Sequence, residues 1–181
     1  MHIYIAFLRA INVGGHTVKM DHLRRLFAAL GFANVETFIA SGNVIFETDA
    51  ADTAALERAV ADHLQQSLGY PVATFIRTPA AVAAVAEYTP FDAADTDEAG
   101  ASLYVGFLPT YPSDAARERL ARLRTPLDDF HVHEREFYWL SRTGMGRSQI
   151  SGAMLEKAIG LPATLRNVTT VRKLAAKYAA R

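Results

Sequence analysis

Arg9, Asn12, Gly14 and Gly15 fall within one seven-residue stretch, with Lys19 a few residues further on. Their chemistry is anion binding. Glycine lets the backbone approach a ligand closely and turn its N–H groups inward. Arginine adds a rigid fork of donors, and a helix that begins after the loop presents its positive dipole end. A second short polar segment, Ser41-Gly42-Asn43, has the same character. Brought together, Arg9, Asn12, Ser41 and Asn43 could hold a phosphate or a carboxylate. The plainer reading is that the asparagines satisfy loop backbone and the glycines serve turns. The spacing matches neither a P-loop nor a dinucleotide fingerprint.

Other constellations are weaker. Arg166-Asn167 precedes Thr169, Thr170, Arg172 and Lys173, so a threonine-capped final helix could receive an anion beside Arg166. The alternative is a capped surface helix whose bases face water. Arg142 to Ser148 is glycine-rich and basic but lacks the Gly-Lys-Ser/Thr ending of a Walker loop, and reads as a flexible connection. His131 and His133 are two apart on a strand, so their imidazoles share a side and could bind a metal with Glu134 or Glu136. No third ligand has diagnostic spacing, so no metal is expected. Ser41 and Ser148 lack a nucleophile-elbow context. No carboxylate pair stands out, no cofactor motif is present, and no reaction can be named.

The elements that must position these residues follow from periodicity. His2 to Leu8 alternates as a strand, and Asn12 to Gly15 breaks it. Met20, Leu23, Phe27 and Leu30 are spaced as a helix, with Gly31 as its stop. Val35 to Ala40 and Val44 to Thr48 form a hairpin. Asp52 or Thr53 caps a helix bearing Leu56, Val60, Leu64 and Leu68, ended by Gly69. Pro71 to Arg77 is a fourth strand. Strand, helix, strand, strand, helix, strand is the ferredoxin-like order. In that topology the first two strands run the same way, so the loop after strand one and the turn at residues 41–43 share one rim.

The second half repeats the first. Ser102 to Leu108 overlays His2 to Leu8, with three of seven positions identical. A helix capped by Ser113 follows, then a hairpin from about Asp128 to Leu140, then helices over about Ser151 to Ile159 and Thr169 to Tyr178. The expected fold class is α+β, tandem duplicated ferredoxin-like (βαββαβ) units, the second lacking its last strand. The first unit spans residues 1–78, a connecting helix and acidic loop spans 79–100, and the second unit with C-terminal helices spans 101–181. A single larger α+β sheet is the alternative.

Composition bounds the function. The 181 residues are half hydrophobic and 21% charged, with 19 basic and 19 acidic side chains. Such a chain folds around a core. A balanced charge argues against whole-surface attraction to nucleic acid. From Arg142 onward, however, eight basic residues face one acid, Glu156, while Glu87, Asp92, Asp95, Asp97 and Glu98 form an acidic stretch. With no cysteine there is no disulfide, thiolate nucleophile or cysteine-bound zinc. No apolar run reaches the ~18 residues of a membrane span, and no signal peptide is visible. A cytoplasmic protein is expected.

The stretch Phe7 to Gly15, Met20, Gly31-Phe32, Ser41 to Phe46, Thr164 to Asn167 and Thr170 to Leu174 together resemble the bacterial family catalogued as domain of unknown function 1697. The resemblance covers nearly the whole chain. It implies tandem ferredoxin-like units and supplies no activity. Ala10 stands where the family usually has glycine, which argues against a strained backbone there. Val168 and Thr169 replace a usual tryptophan and polar residue, which removes an indole from the late motif. The expected ligand-binding residues are Arg9, Asn12, Gly14, Gly15, Lys19, Ser41, Asn43, Arg166 and Asn167. The expected partner is a small anionic, phosphate- or nucleotide-like ligand. The alternatives are single-stranded nucleic acid, or an oligomeric scaffold built on the sheet edge left by the missing strand.

Overall fold

The structure is a computed structural model describing residues 1–12, 14–39 and 42–178. The expected site residue Ser41 therefore lies outside the described residues. Among those described are two four-stranded antiparallel sheets and seven helices.

The first half runs β1 (His2–Leu8), α1 (Met20–Ala29), β2 (Ala33–Thr37), β3 (Asn43–Thr48), α2 (Thr53–Leu68) and β4 (Thr74–Arg77). Its sheet has the order β2-β3-β1-β4. After α3 (Pro79–Glu87) and the short α4 (Ala93–Thr96) come β5 (Ser102–Phe107), α5 (Asp114–Ala121), β6 (Asp128–His133), β7 (Glu136–Ser141), α6 (Gly152–Ile159) and β8 (Thr164–Asn167). The second sheet has the order β6-β7-β5-β8, and α7 (Val168–Tyr178) follows it.

β8 corrects the expectation of a missing last strand: Phe107 to Tyr104 pair antiparallel with Thr164 to Asn167. No apolar alternation marks this strand in the sequence, because it has four residues and its buried alternates are Thr164 and Arg166, both polar. With β8 on β5, the edge left by a missing strand is filled, and the edges of this sheet are β6 and β8. Two other strands are shorter than their apolar runs. β2 ends at Thr37, after a register shift between Ala33 and Glu36, because Ile39 turns into the left-handed region at φ 58°. β4 begins at Thr74, past Pro71, which has no N–H for a ladder.

The helices form where the sequence caps them. Asp52, Ser113 and Ser151 accept the N–H of Ala55, Ala116 and Met154, each cap worth about 1 kcal/mol. Gly69 and Gly160 close α2 and α6 in the left-handed conformation.

Among the described residues, those of Met1–Ala83 and Leu174 to Tyr178 make one compact unit, and Ala84–Lys173 the other. In the first, Tyr4, Ala6, Leu8, Val44 and Phe46 on one face of the sheet pack with Leu23 and Phe27 of α1 and Leu56, Val60 and Leu64 of α2. In the second, Phe130, Phe137 and Trp139 pack with Leu120 of α5 and Leu155 and Ile159 of α6. Burial of each large side chain contributes about 1.5–3 kcal/mol. These cores fix the strand ends, and so the loops at each rim.

Candidate functional site

β1 and β2 both pair antiparallel with β3, so the loop leaving β1 and the turn entering β3 emerge at one rim. The Leu8 N–H donates to the Gly42 carbonyl at 2.8 Å, joining the two connections. Gly42 has φ 76°, and a Cβ on it would lie 2.7 Å from Ile11 Cγ2 and 3.1 Å from Leu8 Cβ. Only glycine lets the turn close on the loop this tightly. Ile11 is buried there, so an apolar side chain fills the base of the junction.

The loop is held at several further points. The Arg9 N–H donates to the Ala73 carbonyl at 2.9 Å, and the Tyr70 hydroxyl to the Ile11 carbonyl at 3.4 Å. The His16 ring stacks on Tyr70, with centroids 3.7 Å apart. Asn12 Oδ1 accepts the Val18 N–H at 2.7 Å, closing the loop on itself. Asn43 is fully buried and its Nδ2 donates to the Phe38 carbonyl at 2.9 Å. Both asparagine side chains thus hold backbone. Arg9, Gly14, Gly15 and Lys19 are exposed. Gly14 and Gly15 are left-handed, at φ 67° and 87°, with open space where a Cβ would stand.

Ala10 is also left-handed, at φ 56°. This corrects the expectation that alanine there argues against strain: the loop imposes the conformation, and the alanine bears about 1–2 kcal/mol for it. Lys19 occupies the N-cap of α1 and forms no side-chain cap bond. Among the described residues, the first N–H groups of α1 thus have no N-cap side-chain acceptor of the kind that α2, α5 and α6 possess.

Arg166 and Asn167 belong to the other unit. Arg166 is buried on β8, where it donates to Thr164 Oγ1 at 2.8 Å and to the Leu165 carbonyl at 2.9 Å. Burial lowers its pKa to about 10. Asn167 Oδ1 accepts the Thr169 N–H at 2.9 Å. The cap of α7 is therefore Asn167 and not a threonine, because the helix already starts at Val168.

The remaining candidates resolve into structure. Arg142 pairs with Asp95 at 3.1 Å, so the basic and acidic stretches meet at this point. The Ser148 hydroxyl and the Trp139 indole both donate to Asp128 Oδ1, at 2.9 and 2.8 Å, which ties the glycine-rich segment to the sheet. His131 and His133 do share a side. Tyr88 occupies it: its hydroxyl is 2.8 Å from His131 Nε2, and its ring stacks on His133 at 3.9 Å. Burial lowers the His131 pKa, helped by His133, Arg124 and Arg117. Among the described residues no cluster of three His, Asp or Glu could hold a metal ion. None of the described helices is long and apolar enough to cross a membrane. Tyr70, His16 and Tyr88 were invisible in the sequence as partners, since each acts on residues far from it in the chain or at irregular spacing.

The family described as protein of unknown function (DUF1697) matches residues 1–138. No curated protein matches the chain. Among solved structures, the conserved bacterial protein SP0830 from Streptococcus pneumoniae is similar at 21% identity with a TM-score of 0.72, over 99% of each chain. That likeness is one of fold. The match over residues 1–138 covers well over half of the sequence, and the chain belongs to the DUF1697 family.

Proposed function

We propose that the rim of the first unit binds a small anionic ligand of the phosphate or nucleotide kind. Arg9 and Lys19 supply charge, and Gly14 and Gly15 let the ligand reach backbone N–H groups. Asn12 and Asn43 act as positioning residues, since their side chains hold the two connections in place. The observation that carries the reading is the N-terminus of α1. A lysine N-cap opposes the helix dipole by about 0.3–1 kcal/mol and, among the described residues, leaves the first N–H donors without an N-cap side-chain acceptor. An anion at that end reverses the sign of the interaction and takes up the donors. Arg166 and Asn167, given over to their own unit's strand and helix cap, are assigned no ligand contact.

The test is a phosphorus-31 NMR titration of the whole chain with inorganic phosphate and with ATP. Saturable binding is expected, weakened about tenfold by Arg9→Ala and by Lys19→Ala, and weakened by added salt. Absence of saturation, or binding by both variants as tight as that of the unaltered chain, overturns the proposal. Nucleic-acid binding by base stacking draws no support, because the sheet aromatics Phe7, Phe46, Phe75, Phe107 and Tyr138 are buried and Tyr104 is half-buried against the second core.

We also infer that the two halves are duplicated ferredoxin-like units, and matched strand registers support this. Phe7 faces Asn43 and Ile5 faces Arg77, just as Phe107 faces Glu136 and Val105 faces Arg166. A buried arginine and a buried polar residue at the entry to the hairpin's second strand thus recur at the positions that the overlay of His2–Leu8 on Ser102–Leu108 predicts.

A further inference from the structure

The second unit contains a cavity of about 440 Å³, between the segment that runs from Thr89 through Asp92 and the pair Leu103 and Arg172. That volume falls in the usual range for small-molecule sites. Pro90, Phe91 and Leu103 give it an apolar wall. Asp92 and Arg172 give it one charge of each sign. Neither side chain makes a hydrogen bond or ion pair with any described residue, and none joins them to each other. Asp92 stands at the start of α4 without capping it. This contrasts with Arg142 and Asp95 nearby, which pair directly. Opposite charges that line one cavity, yet remain apart, leave room for a molecule that satisfies both.

We propose that this cavity binds a small zwitterion with an apolar body, the class of a free apolar α-amino acid, with Arg172 taking its carboxylate and Asp92 its ammonium. The guanidinium fork suits a carboxylate in two-point contact. The ammonium requires an acceptor that carries charge, and Asp92 is the carboxylate on the wall. The apolar body lies against Phe91, Pro90 and Leu103, where contact removes hydrophobic surface from water. Arg172 belongs to the late Thr170-Val171-Arg172-Lys173 motif, which the anion site in the first unit leaves unused. The two proposals rest on different residues in different units.

The experiment is a titration of the nitrogen-15-labelled full chain with L-phenylalanine, followed by amide chemical shifts. Saturable shifts are expected in residues 89–96 and at Leu103 and Arg172. Both charged groups are exposed, so Arg172→Gln and Asp92→Asn keep the fold, and each should weaken binding about tenfold. 3-Phenylpropionate, which lacks the ammonium, should bind more weakly than L-phenylalanine and with the same affinity in Asp92→Asn as in the unaltered chain. Arg9→Ala should leave the titration unchanged, which separates this site from the first. The proposal is overturned if no saturable shifts occur, if they map outside this cavity, or if both Arg172→Gln and Asp92→Asn bind as tightly as the unaltered chain.

Discussion

Gly106→Ala tests how tightly the second sheet is packed. Gly106 sits on β5 opposite Phe137 of β7. A Cβ on Gly106 would lie 2.1 Å from Phe137 Cε1 and 2.2 Å from Cζ. To reach ordinary contact the ring must retreat by more than an ångström. It has nowhere to go, because Phe137 has no exposed surface and shares its core with Trp139, Phe130, Leu155 and Ile159. Overpacking of this kind costs about 1–3 kcal/mol. Against it, alanine restricts the unfolded chain and recovers about 0.5–1 kcal/mol relative to glycine in a strand. The clash is the larger effect, and a net loss of about 2 kcal/mol at the upper end lowers the melting temperature of this unit of about 90 residues by about 8–16 °C. Trp139 is the chain's single tryptophan and lies in the same core, so its fluorescence reports the transition. The attribution has its own control: in a Phe137→Leu background the same Gly106→Ala change should be neutral or stabilising. An unchanged midpoint in the parent, or an equal loss in both backgrounds, refutes the reasoning.

Two further outcomes follow from the described geometry. Ala10→Gly relieves a left-handed alanine while adding freedom to the unfolded chain, so it should raise stability by about 0.5–1 kcal/mol, read as a higher urea midpoint; a lower midpoint contradicts the strain. His131 is held below its ordinary pKa by burial first, then by His133, Arg124 and Arg117, with Asp129 opposing. Its unfolded form therefore binds a proton more readily than its folded form, so its contribution is complete above the unfolded value near 6.5 and is lost as pH falls below that value. The urea midpoint followed by Trp139 fluorescence should drop from pH 7.5 to pH 5.5, and His131→Gln should shrink that drop.

The sequence carried the architecture wherever apolar residues alternate or recur at helical spacing. The Leu56–Val60–Leu64 stripe and Phe137–Trp139 bury the residues that their period marks, while β1 buries Tyr4 to Leu8 on both faces. The caps Asp52, offered together with Thr53, and Ser113 were readable for the same reason, since a cap acts within three residues of itself; Ser151 was legible only as the start of its helix, which it caps from outside. Elements that are polar and inward-facing carry no such pattern. β8 buries Thr164 and Arg166, so the pattern that announces a strand is absent from it. The shared rim of the first unit could be reasoned out from strand direction, and the Leu8–Gly42 hydrogen bond lies there. The roles of Asn12 and Asn43 could not, because an amide that closes its own loop and one that faces a ligand have the same spacing in the chain.

The two sheets also solve one packing problem in two ways. Ala6 faces Val44 across β1 and β3, and Gly106 faces Phe137 across β5 and β7. Under the proposed duplication these pairs are equivalent, and the volume removed from one strand reappears on its partner. A phenylalanine opposite alanine would meet the clash described for Gly106→Ala, and a valine opposite glycine would leave a void. The two residues of a pair must therefore change together, so neither half of the chain can borrow a single residue from the other. Ala6→Gly alone should loosen the first core, and adding Val44→Phe should recover part of that loss only if α1 and α2 can accommodate the ring beside Phe27 and Phe46. Positions coupled in this way diverge in pairs, and that explains how strand registers can stay matched while the facing side chains do not.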